Sequence, residues 1–389
     1  MIRQVSRRLS LKSLSSSLRD LSGSRHEERD VWVPYPKGID ACVLRRNKSE
    51  TLGRLTFKYD AKSFPHALEE SRYTDKPVLL LFQATQGAPD AVAMGESVLS
   101  HPLLIEAIES LFIPVFVDVA GVSPDDVQLL ARYHENCHRG TVIRIVNSKG
   151  HDLAVKLEGS RCSVGNIAKA MREALDRKTL QVPKYLKLLE EEHLALVDVP
   201  SKTVRTTARV VVVTTKATKK AEIGFAELSG VIAVECGKIS GTRAVKVTYN
   251  PDVIDCKAVF LHAIFHVFVE SVYWTDMDQM VSLQSQVLKV DNPPSLEQLG
   301  STPFSRGKDP KHFLRTTLLR YVPLTALQAL QANLAISKNQ HELLDDLLSP
   351  RQLAIFEAVE TKRPRRETVD VAIAEAWRKL QKDGVFTWN

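Results

Sequence analysis

The sequence predicts an α/β region, an α+β region behind it, and a helical tail. Three observations point there. Between residues 57 and 182, continuous apolar runs such as PVLLLFQ and FIPVFVDV alternate with helical stretches, the rhythm of strands covered by helices on both faces. From 208 to 291, a β-branched run, a helix, two strands about the turn ISGT and a second helix give the order βαββα. From 312 to 389, leucines recur at helical spacing behind Ser and Thr caps.

The first 27 residues stand apart. MIRQVSRRLSLKSLSSSLRDLSGSR holds five arginines and one lysine against one acid, is rich in Ser, and spaces Ile2, Val5, Leu9, Leu11, Leu14 and Leu18 along one helical face. That is the composition of a mitochondrial transit peptide, so residues 1–27 are expected to address the chain to the mitochondrial matrix; the plain alternative is a disordered basic tail. Part of the net charge of +7 belongs to this segment. Residues 28–56, with WVPYPKGID, read as an extended lead-in.

The α/β region, 57–182, begins with FPHALEESRY, where Ser63 is a candidate cap and Pro65 sits in the first turn, where a missing N–H does no harm. The strand PVLLLFQ follows, then a helical stretch interrupted by Pro102, the strand FIPVFVDV, a helix around SPDDVQLLARYH, the strands TVIRIV and HDLAVKL about the turn NSKG, and a helix from Ser163 to Arg177. Residues 183–207 read as a charged connector with the short helix PKYLKLLEEEHLAL. In the α+β region, ARVVVVTTK, KKAEIGFAEL, VIAVECGK, RAVKVTYN and CKAVFLHAIFHVFV supply βαββα, with a closing strand expected near SLQSQVLKV. A proline-containing linker is expected at 292–311. In the tail, Ser349 and Pro350 open a helix, Gly384 stops the last one, and Leu324, Leu327, Leu330, Leu334, Leu344, Leu347 and Leu348 are expected to form a small core.

With 389 residues the chain suits two or three domains of roughly 100–200 residues each. At 44% apolar and 25% charged residues it is neither disordered nor collagen-like in composition. No run reaches the roughly 18 apolar residues that a spanning helix requires. The longest, AVFLHAIFHVFVESVYW, carries His262, His266 and Glu270 and reads as a buried amphipathic helix. A soluble protein without a transmembrane segment is expected. The five cysteines, at 42, 137, 162, 236 and 256, include no CxxC, which argues against a disulfide framework or a zinc site of ordinary spacing.

KPVLLLFQAT, LSHPLLIEAIESLFIPVFVD and RGTVIRIVNSKGHDL, in the helix and strand order above, resemble the thioredoxin-like proteins over about residues 60–180. In that family a Cys-x-x-Cys opens the second helix, whose N-terminus lowers the thiol pKa. The corresponding residues here are Gly87, Ala88, Pro89 and Asp90: the proline stays and both sulfurs are gone. Asp at a helix start is an ordinary cap. The family's cis-proline facing the motif has Thr141 or Val142 in its place, where trans geometry is expected because a non-proline cis bond costs roughly 3 kcal/mol. A surviving peptide groove is expected along Gln83, Gln86, Gly87, Asp90 and the Thr141–Val142 backbone.

FAELSGVIAVECG followed by AVKVTYNPDVIDCKAV is similar to peptide methionine sulfoxide reductase A, while the short hairpin ECGKISGTRAVKV is similar to a heavy-metal-associated domain. Both imply a ferredoxin-like fold. The reductase's nucleophilic Cys would fall near Ala217, its aromatics at Thr218 and Lys219, and its hairpin acid at Arg243; the metal domain's two thiolates would fall near Thr214 and Ala217. Either way the sulfur is absent.

Weaker candidates are His134, Cys137 and His138, crowded at a helix end, and His262 with His266 at i and i+4, which lack the adjacent Glu of a metalloprotease. Cys236 and Cys256 are candidates to approach each other. No Gly-rich phosphate loop, GxSxG or Ser/His/Asp cluster occurs. Lys362, Arg363, Arg365 and Arg366 form a basic run that either contacts phosphates, as of RNA, or is a solvated face. The coincident losses imply a non-catalytic thioredoxin-like protein without a cofactor, working as a scaffold or interaction subunit of a mitochondrial assembly such as a ribosome or respiratory complex. The alternative is a thiol-disulfide or methionine-sulfoxide oxidoreductase using its other cysteines.

Overall fold

The computed structural model describes residues 55, 57–83, 94–119, 123–135, 140–196, 208–300, 303–307, 311–364, 366–369 and 371–385. The segment expected as a transit peptide, most of the lead-in, Cys42, Gln86 to Asp90, Cys137, His138 and Arg365 lie outside them. The described chain is a mixed α/β structure with two mixed sheets.

The first sheet arises from β1 (Tyr59–Asp60), α1 (Phe64–Thr74), β2 (Val78–Gln83), α2 (Pro102–Leu111), β3 (Ile113–Asp118), α3 (Pro124–Tyr133), β4 (Val142–Val146), β5 (Leu157–Glu158) and α4 (Val164–Arg177). Its strand order is β1-β3-β2-β4-β5. β3 runs parallel to β1 and β2, β4 antiparallel to β2, and β5 antiparallel to β4. Every residue of β2 is buried, because Leu79 and Leu81 pack under Leu104, Ile108, Ile167 and Met171 while Leu80 and Phe82 pack under Phe64, Leu130 and Tyr133. Each such side chain contributes about 1.5–3 kcal/mol. Pro102 breaks the preceding helical stretch and becomes the first residue of α2.

Two local expectations fail here. Ser63 precedes α1 but makes no side-chain cap bond; its hydroxyl donates to Asp60 Oδ1 at 2.5 Å and accepts from Asp60 N–H. HDLAVKL forms no full strand: Asp152 makes an isolated bridge to Val146, and pairing resumes only at Leu157. Its charges are engaged instead, Arg144 reaching Asp152 at 2.5 Å and buried Glu135 at 2.6 Å.

The stretch expected as a connector contributes α5 (Lys184–Ala195). Tyr185, Leu186 and Leu189 join the core of the first sheet, and Arg172 of α4 forks onto Glu190 at 2.6 and 3.1 Å.

The second sheet arises from β6 (Arg209–Thr214), α6 (Thr218–Ala226), β7 (Val231–Ile239), β8 (Thr242–Tyr249), α7 (Cys256–His266), β9 (Ser271–Trp274), α8 (Met277–Val287), β10 (Ser295–Gln298) and β11 (Phe304–Arg306). The strand order is β10-β9-β6-β8-β7-β11. β10 is parallel to β9 and the other pairings are antiparallel. The β7–β8 hairpin turns on Ser240 and Gly241, with φ of 48° and 82°, the two left-handed residues a tight hairpin demands.

SLQSQVLKV, expected as the closing strand, lies largely within α8; the strand that pairs with β6 is SVYW, eight residues or more upstream. The reason is periodicity: Gln279, Leu283 and Gln286 are buried at helical spacing. The stretch expected as a linker, 292–311, holds β10 and β11 on opposite edges of the sheet. Phe304 and Leu299 pack with Val212, Ile239, Ala244 and Tyr273. Gly237 is required beneath this strap, since a Cβ there would lie 2.5 Å from the Phe304 ring and 2.3 Å from Ser305 O.

The tail comprises α9 (His312–Arg315), α10 (Ala326–Ser337), α11 (Leu343–Leu347), α12 (Pro350–Thr361) and α13 (Ile373–Lys382). It has no small core of its own. Leu327, Leu330, Leu347, Leu348 and Trp377 share one core with Val211, Phe225, Val245 and Phe260 of the second sheet and its helices. Both α10 and α12 start with capping boxes, Thr325 with Gln328 and Ser349 with Gln352.

These two helix starts also receive carboxylates from the first region. Glu192 of α5 accepts from Leu327 N–H at 2.8 Å and Ala326 N–H at 3.3 Å. Glu106 of α2 accepts from Ser349 Oγ at 2.6 Å and Arg351 N–H at 2.8 Å, and Arg351 Nη2 donates to Glu109 Oε2 at 2.6 Å. A negative group at a helix N-terminus meets the positive end of the dipole. Burial nonetheless holds the Glu106 carboxyl above its usual range, against the pull of Ser349 and Arg351.

Candidate functional site

Gly87, Ala88, Pro89 and Asp90, the four residues matched to the redox motif, and Gln86 beside them fall outside the described residues. The remaining groove candidates are placed. Gln83 ends β2, is buried, and donates from Nε2 to Thr141 Oγ1 at 3.2 Å. Thr141 leads into β4, whose first residue Val142 pairs with Phe82 and Glu158, and the peptide joining Thr141 to Val142 is trans. The Thr141 carbonyl accepts from Gly159 N–H at 2.9 Å and faces Cys162 Sγ at 3.6 Å. The Gln83 side-chain oxygen is buried here with no hydrogen-bond partner among the described residues. Burial pushes the Cys162 thiol up to about 12, the opposite of an activated thiolate.

Thr214, Ala217 and Arg243, matched to the second region's lost site, do gather at one end of the second sheet. Thr214 closes β6, Ala217 stands at the start of α6, and Thr215 N–H between them donates to the Arg243 carbonyl at 3.0 Å. Thr214 is buried, with its hydroxyl 3.4 Å from Ser271 O, while the Arg243 side chain is exposed. Cys236 of β7 is nearby, its Sγ 3.6 Å from Thr218 O. No disulfide joins Cys236 to Cys256. Burial pushes Cys256 up to about 11.

A surface cleft of about 290 Å³ lies between α6 and the end of α7, beside the His262–His266 pair that the sequence marked. Lys220, Ile223 and Glu227 line one side; His266, Phe265 and Phe268 line the other. Phe265 and Phe268 are 75% and 82% exposed, which is unusual for large aromatics. Glu227 is held by Lys338 at 2.7 Å. His262 and His266 stack with ring centroids 4.5 Å apart, and burial, followed by the neighbouring His266, lowers the His262 pKa. Among the described residues no group of three or more His, Cys, Asp or Glu side chains is placed to hold a metal. The signals in the sequence were the His262–His266 pair and two phenylalanines just where the helical apolar pattern runs out, and neither gives a hint of exposure.

In the basic run, Lys362 donates to the Gly384 carbonyl at 2.8 Å and so ties α12 to the end of α13. Arg363 and Arg366 are exposed. The described residues include no helix long and apolar enough to cross a membrane.

No protein-family model matches the sequence. No curated protein matches it either. A solved structure described as DsbH oxidoreductase is similar to 33% of this chain and 92% of its own, with 18% identity and a TM-score of 0.25.

Proposed function

We propose that this chain is a non-catalytic interaction protein, a thioredoxin-like region fused to a ferredoxin-like region, serving as a scaffold or interaction subunit of a larger mitochondrial assembly. Support for the first region is its strand order and its mixture of parallel and antiparallel pairings. Support for the second is the antiparallel arrangement β9-β6-β8-β7 with α6 and α7 in its connections. The matrix address rests on the basic, Ser-rich first 27 residues.

The observation that carries the non-catalytic reading is the state of the thiols. Cys162 and Cys256 are buried with raised pKa values, and the positions where sulfur would stand in the second region hold Thr214 and Ala217. Folds persist without their chemistry because the core carries stability and the grafted site carries function. Contact with RNA is a narrower form of the same proposal, resting on exposed Arg363 and Arg366.

The test is sedimentation of the tagged protein from a gentle mitochondrial extract, with and without RNase. A heavy particle that RNase breaks down supports a ribosome-linked role; a heavy RNase-resistant peak supports a protein assembly. A small free species sinks the scaffold reading and returns attention to oxidoreductase chemistry at the remaining cysteines.

A further inference from the structure

We infer that the second region binds single-stranded nucleic acid at the end of its sheet where α6 begins and α7 ends. This goes beyond the scaffold proposal and does not depend on it, since it assigns a ligand to a surface that the proposal leaves unused.

The surface begins at the tip of the β7–β8 hairpin. Lys238 and Arg243 are paired directly across the two strands and both are exposed. Like charges set opposite each other destabilise a sheet, and an anion between them removes that cost. Alternation along β7 puts Lys238 on the face of Cys236, whose Sγ lies 3.6 Å from the Thr218 carbonyl of α6, so the pair stands on the side of the sheet that carries α6. Thr215 N–H donates to the Arg243 carbonyl, which sets the β6–α6 loop beside that strand. Lys219 and Lys220 follow, exposed in the first turn of α6. The nearby carboxylates are engaged elsewhere: Glu222 is buried against Lys311 at 3.1 Å, Glu235 meets Lys246 at 2.9 Å, Glu227 is held by Lys338, and Glu270 lies 3.3 Å from Lys216. Among the described residues that leaves Lys219, Lys220, Lys238 and Arg243 without an ion pair.

The same end of the sheet carries aromatic rings. Glu270 N–H donates to the Thr214 carbonyl at 3.0 Å, which lays the chain leaving α7 against the start of the β6–α6 loop. Phe265 and Phe268, 75% and 82% exposed, border the cleft that Lys220 lines from the α6 side. Uncompensated cations leading to open rings are what hold a single strand, whose phosphates follow the cations while its bases stack on the rings. A single strand offers a flat face with every charge. Neither an acidic peptide nor a duplex, with its bases already stacked on one another, can do so. A lipid surface calls for rings that project, whereas these border a hollow.

The experiment is fluorescence anisotropy of a labelled oligouridine of about twelve nucleotides against the purified full chain. Kd should be on the order of micromolar to tens of micromolar at about 50 mM salt, and with four cations engaged the affinity should fall about 50-fold by about 200 mM. Phe265→Ala and Phe268→Ala should each weaken binding about fivefold or more and leave the salt slope unchanged. Lys238→Ala combined with Arg243→Ala should reduce that slope by about half. All four side chains are exposed, so urea midpoints should stay at the native value. Arg363→Ala combined with Arg366→Ala should leave binding as it is. Absence of binding at the lower salt, indifference to both phenylalanines, equal displacement by duplex RNA or by polyglutamate, or loss only in the Arg363 and Arg366 variant would each overturn the inference. Because the protein is purified, failure here leaves the extract experiment above to stand or fall separately.

Discussion

Gln328 and Gln352 donate to each other's side-chain carbonyls, both at 2.9 Å, in the fully buried space where α10 and α12 begin. Each also closes its own capping box and donates to a backbone carbonyl, Gln328 to Leu347 O at 2.8 Å and Gln352 to Pro323 O at 2.7 Å. Every polar atom of the pair is used. Replacing Gln352 with Ala leaves the Pro323 carbonyl and half of Gln328 unpaired, an expected loss of about 2–3 kcal/mol. Urea unfolding of the two single alanine variants and the double variant checks this. The double should lose clearly less than the two singles together, since the second truncation removes a group already orphaned.

Glu106 predicts a pH effect of definite sign. Its carboxyl is held above the value of 4.5 that it takes when unfolded, so the folded state binds the proton more tightly. That contribution is fully present below about pH 4.5 and is lost as the pH rises through the folded pKa. Glu106→Gln removes the titration, so its stability relative to the native chain should improve as pH rises through this window. Denaturant midpoints from pH 4 to pH 8 read the difference, and parallel curves would refute it.

His101 predicts the reverse. Its ring meets that of His193 at 4.9 Å, nearly perpendicular, and burial followed by the nearby His193 lowers its pKa to about 3. The unfolded chain takes up the proton near pH 6.5, so stability that is intact above that value drains away as the pH falls toward 3. His101→Phe keeps an aromatic ring and cannot titrate. It should flatten the acid limb of the thermal-stability profile, leaving the neutral limb within about 1 kcal/mol of the native chain.

Thiol labelling separates structure from chemistry. With their pKa values raised by burial, Cys162 and Cys256 should resist iodoacetamide at pH 7.5 for hours in the folded chain and react within minutes in urea. Peptide mapping assigns the labels. Rapid native labelling at either position would contradict the buried placement and favour a reactive thiol.

What the sequence disclosed was local. The continuous apolar run of β2, the Pro102 break, the ISGT hairpin and the Ser349–Pro350 helix start each announce themselves within a few residues, because strand burial, proline geometry and capping act over one turn or one strand. What it hid was supplied from afar. Glu106 and Glu192 look like surface acids on helices until the N–H groups they serve arrive from α12 and α10. Pro293, Pro294 and Pro303 look like a linker because proline is excluded from central strands, yet they stand just ahead of β10 and β11 and leave both edge strands free of proline. The groove candidates fared likewise: Gln83 and Thr141 meet through side chains that stand 58 residues apart in the chain, and the cleft beside Phe265 depends on where two helices end.

The caps on α10 and α12 have a consequence for synthesis. The groups that complete them stand 134 and 243 residues earlier in the chain, so a ribosome making this protein releases the first sheet long before its final contacts exist. Contacts of such wide separation slow folding, and an incomplete chain keeps apolar surface open while it waits. The newly made protein should therefore lean on chaperones until its last helices emerge, and a product cut short before Ser349 should be an early target for proteolysis.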